Sequence, residues 1–364
     1  MMRSSSRIRA GAAGLASVLA LAVAGGVAIA QTARLDYRVV YARVAELGRR
    51  LDDAGRDGYA CQAVARPEPD VPLQGVVVLL SRVAGTTPAP MTHRVIPGGG
   101  RGDDLQRSLD RNGAAGLRVC GAAFDEGQGA PSPVTVMVGP AQSTSGAWGY
   151  LVEVLSNYRS SLPRLNAAGR DGFLPVAVVP VNDNRVAAMR SWMVVLERPV
   201  DGRAPSDVAV RSGSGPYALQ KALVEQRDMG YHIDLSWKEG NDFVVLMTRP
   251  VGTASPLPPP YTAEAGAPSG VPALSRPYLA DFPYLSDQRL VIAERSGLAS
   301  TAVVEETLPA LGPLGALGGP AASAMETIAD HIGRNRDYTV AALSVRRGDR
   351  GTLVLRTVLT HRLP

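Results

Sequence analysis

Two apolar periods alternate along this chain. In "LGRRLDDAGRDGY" (47–59), Leu47 and Leu51 stand four apart, then Gly58 and an aromatic follow. Leucines at that spacing share one helical face. The frame returns in "LDRNGAAGL" (109–117), "LNAAGRDGF" (165–173) and "LVEQRDMGY" (223–231). Gly58, Gly116, Gly172 and Gly230 are 58, 56 and 58 residues apart, and Leu51, Leu109, Leu165 and Leu223 each lie seven residues earlier. A fixed period of this length marks a repeated structural unit.

Glycine at a helix end accepts the left-handed conformation that side-chain-bearing residues resist. The apolar residue after it can fold back onto the last helical turn. Gly58, Gly116, Gly172 and Gly230 therefore read as helix caps, with Tyr59, Leu117, Phe173 and Tyr231 as pins.

Short β-branched runs bounded by Gly and Pro surround each helix and read as strands. One precedes it ("LDYRVVYA", "MTHRVIP", "GYLVEVL", "SDVAVRS") and two follow, as in "LRVCGAAF" and "PVTVMVGP". The expected fold is α+β, built of tandem β-α-β-β units at 35–84, 91–141, 148–200 and 206–250. A unit of this size cannot bury both faces of its sheet alone, so neighbours are expected to pair, one with two and three with four. A degenerate fifth unit is expected over 287–362. Its first strand would be "QRLVIAERS" (288–296), its helix would span 325–338, and an insertion would fill 297–323. The Pro-rich stretch 251–286 reads as a linker or extended strap.

Leu165, Asn166, Gly169, Gly172, Phe173, Arg198 and Pro199 resemble a small bacterial domain family of unknown function. Its helix ends L-N-x-x-G-x-x-G-[WYF] and its last strand ends K/R-P. Gly230, Tyr231, Arg249 and Pro250 repeat the pattern, and the match covers about half of the chain. The resemblance implies a compact α+β fold and carries no activity or functional residue.

Composition changes the picture mainly at the N-terminus. "MMRSSSRIRA" holds three arginines and no acid, "GAAGLASVLALAVAGGVAIA" is small or apolar throughout, and Ala28-Ile29-Ala30 offers a cut site before Gln31. That is a secretory signal peptide over 1–30, with an uncleaved anchor as the alternative. Its removal takes the formal charge from +5 to +2. No basic block or aromatic-interleaved stripe remains for nucleic acid, and no other run is long enough to span a membrane. The mature chain is expected in the periplasm or outside the cell.

Candidate chemistry is sparse. His93, His232, His331 and His361 fit no zinc spacing, so neither metal nor cofactor is expected. "PGGGRGDDL" (97–105) lacks the Lys-Ser/Thr of a phosphate loop, and Asp103 and Asp104 would repel an anion at the helix start. No G-x-S-x-G elbow occurs. Trp148, Trp192 and Trp237 are candidate stacking platforms for a ligand, with core packing as the other use. Cys61 lies three residues past its cap glycine and Cys120 four past its own, which puts them on opposite strand faces. Register thus opposes a direct bridge unless a bulge intervenes, while export favours one; both outcomes stay open.

Repetition without a catalytic constellation favours an exported binding or scaffold protein of the bacterial envelope, meeting an envelope protein or a cell-wall component. The alternatives are a periplasmic small-molecule or glycan binder with its site between units, and an enzyme whose site assembles only in space.

Overall fold

The computed structural model describes residues 35–64, 66–67, 75–98, 102–125, 132–142, 146–155, 158–181, 191–214, 216–239, 242–252, 261–265, 274–280, 290–295, 299–308, 338–347 and 353–362. The fold is α+β. Its first segment runs β1 (Leu35–Ala42), α1 (Val44–Arg56), β2 (Ala60–Val64), β3 (Arg66–Pro67) and β4 (Val76–Val83). The second runs β5 (Met91–Pro97), α2 (Gly102–Ala114), β6 (Arg118–Asp125) and β7 (Ser132–Pro140). The third runs β8 (Trp148–Leu155), α3 (Tyr158–Arg170), β9 (Leu174–Val181) and β10 (Ser191–Pro199). The fourth runs β11 (Ser206–Gly213), α4 (Pro216–Asp228), β12 (His232–Glu239) and β13 (Asp242–Pro250). Strands β14 (Tyr261–Ala265), β15 (Leu274–Ala280) and β16 (Leu290–Arg295) follow, then β17 (Ala299–Leu308), β18 (Tyr338–Arg347) and β19 (Leu353–Arg362).

Every sheet has one order: the last strand of its segment lies between the first two, antiparallel to both, as in β1-β4-β2 and β5-β7-β6. The central strand is the most apolar. Val76 to Leu80 are all buried, as are Met193 to Leu196 and Val244 to Met247. A run without polar alternation belongs to a strand covered on both faces.

The four helix ends share one geometry. Gly58, Gly116, Gly172 and Gly230 have φ of 80°, 83°, 84° and 84°. Beyond them the Tyr59, Leu117, Phe173 and Tyr231 amides donate back to the Ala54, Asn112, Ala168 and Gln226 carbonyls. This is the Schellman closure. An arginine from the central strand completes three of the four. Arg82, Arg198 and Arg249 donate to the carbonyls of Asp57, Asp171 and Met229, just before the glycine. Their guanidinium groups lie 4.6, 4.4 and 4.9 Å from the ring centres of Tyr59, Phe173 and Tyr231. The cation thus meets both the negative helix end and an aromatic face. In the second segment the pin is Leu117 and the strand position is Gly139, so aromatic and arginine are absent together.

The frame contains a second glycine, three residues before the cap, with a different cause. A Cβ on Gly169 would lie 2.5 Å from the Ser206 carbonyl oxygen, and one on Gly55 or Gly113 would lie closer still to the Met91 or Trp148 carbonyl. Met91, Trp148 and Ser206 open β5, β8 and β11. The ends of α1, α2 and α3 are therefore pressed onto the first strand of the next segment, whereas α4 has Arg227 at the equivalent position. That contact fixes the spacing of neighbours, and it explains why "AGRDG" needs both glycines.

The hydrophobic core is a series of seams between successive sheets. One joins Leu47, Leu51, Val76, Val78 and Leu80 to Ala123, Val134 and Val136. The next joins Leu105, Leu109 and Met137 to Tyr150, Met193 and Val195. A third joins Leu165, Val194 and Leu196 to Val208, Val244 and Leu246. Segments two and three are joined like the others, so the expected pairing of one with two and three with four gives way to continuous stacking.

Four other expectations are corrected. The stretch 251–286, read as a linker, carries β14 and β15. Pro277 is tolerated because β15 is an edge strand, where a missing N–H costs no ladder bond. Residues 290–295, read as the opening strand of a fifth unit, form the centre of the β14-β16-β15 sheet. The final segment opens instead with β17, inside the stretch read as an insertion, where "TAVVEE" supplies the β-branched run. Tyr338, placed at a helix end by sequence, begins β18. The leader at 1–30 and the helix expected to lead up to Tyr338, at 325–337, lie outside the described residues.

Cys61 and Cys120 are bridged, with Cα atoms 6.0 Å apart. The register objection is met by bulges. Pairing slips between Cys61 and Ala63 in β2 and between Val119 and Gly121 in β6, so Cys120 itself is the extra residue and swings toward its neighbour. Slips recur at Val176 in β9 and Asp234 in β12. All these bulges fall four residues after the cap glycine.

Gly55→Ala should lower stability by about 1–3 kcal/mol, as overpacking of a tight contact does. Gly48→Ala in the same helix meets nothing within 4 Å and should raise stability by up to about 1 kcal/mol. Denaturant melts of the two variants beside wild type check the pair, and equal effects would remove the inter-segment contact as the cause.

Candidate functional site

The seams are also where polar chemistry collects. The first strand of each sheet is an edge, with backbone groups on its outer side unpaired by any strand of that sheet. At β8 and β11 the preceding helix satisfies some of them. At the second seam Gln106 acts like a strand residue: its Nε2 donates to the Tyr150 carbonyl at 2.8 Å, and its Oε1 accepts from the Val152 amide at 2.7 Å. At the third seam Asn166 Oδ1 accepts from the Val208 amide at 2.8 Å. Asn166 and Asp110 both lie six residues before their cap glycine, and Asp110 accepts from the Tyr150 amide.

The third residue of the receiving strand decides what each seam contains. It is His93, then Tyr150, then Val208. His93 is 2% exposed beneath α1, and neither ring nitrogen has a well-formed hydrogen-bond partner. Burial holds its pKa below the usual 6.5, partly offset by the Asp52 carboxylate and the Leu51 backbone.

At the second seam Tyr150 donates to the Leu117 carbonyl at 2.9 Å and lies 3.3 Å from Glu197 Oε2. Glu197 is 2% exposed, and Arg118 reaches its Oε1 from both Nε and Nη2. The Arg118 guanidinium stacks 4.1 Å over Trp148. Burial, reinforced by Glu197, pushes the Tyr150 hydroxyl far above its ordinary pKa. It therefore stays protonated and serves as a donor, not a base. The cluster ties β6 to β8 and β10, and its groups spend their capacity on one another.

The third seam differs. An open cleft of about 490 Å³ lies between α3, β11 and Tyr231. Pro163, Asn166, Arg170 and Asp207 line it. Asp207 accepts from Arg249 at 3.0 and 3.2 Å and lies 3.9 Å from Arg170. Arg170 is largely exposed. The cleft thus presents an exposed cation loosely paired with Asp207, that carboxylate, and the Asn166 amide.

The three tryptophans share no ligand platform. Trp192 and Trp237 pack against each other in the third seam, centroids 6.4 Å apart, and Trp237 is 2% exposed. Trp148 lies under Arg118 at the second seam, and none of the three lines the cleft. Among the described residues no three His, Cys, Asp or Glu are grouped to hold a metal, and no helix is long and apolar enough to cross a membrane. His331 lies outside the described residues. The sequence reading overlooked Glu197, Tyr150, Arg118 and Asp207. Aligning the third residue of each first strand would have found Tyr150 beside His93, but the Glu197 contact spans 47 positions and needs the fold.

No family model matches this chain, and no curated protein or solved structure does either.

The His93 environment fixes a sign. Its folded pKa is depressed, so between 6.5 and that lower value the unfolded chain binds more protons than the folded one. Stability is complete above 6.5 and should fall as the pH drops through that window. His93→Leu should flatten the slope there while leaving the rest of the profile unchanged, as read from melting temperatures across pH 4–8.

Proposed function

We propose that the mature chain is an exported, non-catalytic binding or scaffold protein of the bacterial envelope, built from repeated copies of one β-α-β-β unit. One observation carries this reading. Sheet faces are packed against neighbours at every seam from the first segment to the fourth, and at the second and third seams the outer strand edge is bonded by the preceding helix as well. At the second seam the buried polar groups bond to one another across it. What such a stack offers to the outside is an extended surface of loops and helix backs, which is how stacked repeats engage partners. Export is supported by the charged, then apolar, N-terminus and by the Cys61–Cys120 bridge, a bond that persists in oxidising compartments.

The third-seam cleft favours a second reading, a site for a small polar ligand such as a sugar. It would be bound by Arg170, Asn166 and Asp207.

Two experiments separate them. The full chain, expressed with its own leader and a C-terminal tag, is purified after gentle envelope extraction. The scaffold reading expects a stoichiometric envelope protein or cell-wall component that stays bound through gel filtration; a partner-free chain counts against it. For the cleft, a panel of mono- and disaccharides is titrated calorimetrically against wild type and Val208→Tyr, which restores the ring present at the second seam. Binding by wild type alone supports the second reading, and no binding by either removes it.

A further inference from the structure

The second strand of each segment follows a single line. β2 lies against β6, β6 against β9, and β9 against β12. In the last two segments β15 lies against β18, while α4 links the fourth segment to β14. The other side of β18 meets the beginning of the chain. β3 pairs with it in parallel, Arg66 opposite Ser344 and Pro67 opposite Val345, and β2 lies against it as well.

We infer that the last segment closes onto the first, so that the six sheets form a ring fastened by β3. Three features support closure. β18 is an edge strand in its own β17-β19-β18 array, and β3 is added at that edge to give β17-β19-β18-β3. An exposed strand edge templates association with other chains, and a short added strand removes it. Pro67 then ends the sheet, because it has no N–H to offer a further strand. The connection that supplies β3 is also the longest of its kind: residues 65–75 separate β2 from β4, against 126–131 between β6 and β7, 182–190 between β9 and β10 and 240–241 between β12 and β13.

Closure gives the first segment a double role. The Cys61–Cys120 bridge ties it covalently to the second, and β3 ties it to the last. The bridged seam is permanent in an oxidising compartment. The β3 seam rests on two residue pairs and is the place where the ring would open. It also accounts for the number of segments, since a radial array is complete only when its last member reaches its first.

The test places thiols across the clasp. Arg66→Cys with Ser344→Cys, in the mature chain with the native bridge retained, should oxidise to an intramolecular link. A peptide spanning 66 and 344 would be found by mass spectrometry, in a protein that migrates as a monomer, and neither single variant would give it. Free thiols in a folded double variant, or links between chains, would overturn the closure. Should the double variant misfold or exchange partners with Cys61 or Cys120, a benzoyl-phenylalanine at position 66 provides a thiol-free reading. Photo-adducts within 343–346 of the same chain support the ring, and adducts elsewhere or to a second chain refute it.

Discussion

Everything in this fold depends on how closely a helix end can approach the edge of the next sheet. A three-stranded sheet has two faces to bury and an outer edge whose amides and carbonyls lack partners. Here the preceding helix solves both problems at once. Its apolar face joins the seam, while Gln106, Asp110 or Asn166 bonds the strand backbone directly. That geometry requires backbone to meet backbone, so the helix carries glycine where the strand begins: Gly55, Gly113 and Gly169. A methyl group there would separate helix and strand and break the hydrogen bonds a few residues away.

With the spacing fixed, each seam is a site of constant geometry and variable content. The same strand position holds an unpartnered imidazole at the first seam, a tyrosine bound to the buried Glu197 that pairs with Arg118 at the second and a valine at the third. Three different physical outcomes follow: a buried titratable group, a polar tie between sheets, and an open cleft. The buried carboxylate is accommodated because Arg118 supplies two donors and Trp148 covers the guanidinium. Removing Arg118 would leave the Glu197 carboxylate buried without its cation, whereas the half-exposed Arg118 would stay hydrated if Glu197 were lost.

The helix caps show how far one segment can serve as a control for another. Where the pin is aromatic, an arginine from the central strand stacks on it and also binds the last carbonyls. Where the pin is Leu117, the equivalent position is Gly139 and leucine packs against the strand backbone instead. The arginine is therefore part of the cap at Arg82, Arg198 and Arg249.

The sequence determined whatever depends on near neighbours. Helix caps, pins and the first four strand–helix–strand–strand segments are short-range devices, and their spacing was visible in Leu51, Gly58, Tyr59 and their equivalents. Beyond Pro250 that legibility failed, because the leucine–glycine–aromatic frame does not recur in the sequence there, and strands β14, β15 and β17 were read as strap and insertion. Tertiary structure alone decided the strand order, the second glycine's purpose and the contents of the seams. Each joins residues tens of positions apart, as Gly55 to Met91 or Tyr150 to Glu197. The disulfide shows the division most clearly. Alternation along an ideal strand turned the two cysteines to opposite faces, and a one-residue bulge at Cys120, set by pairing with β7, brought them together.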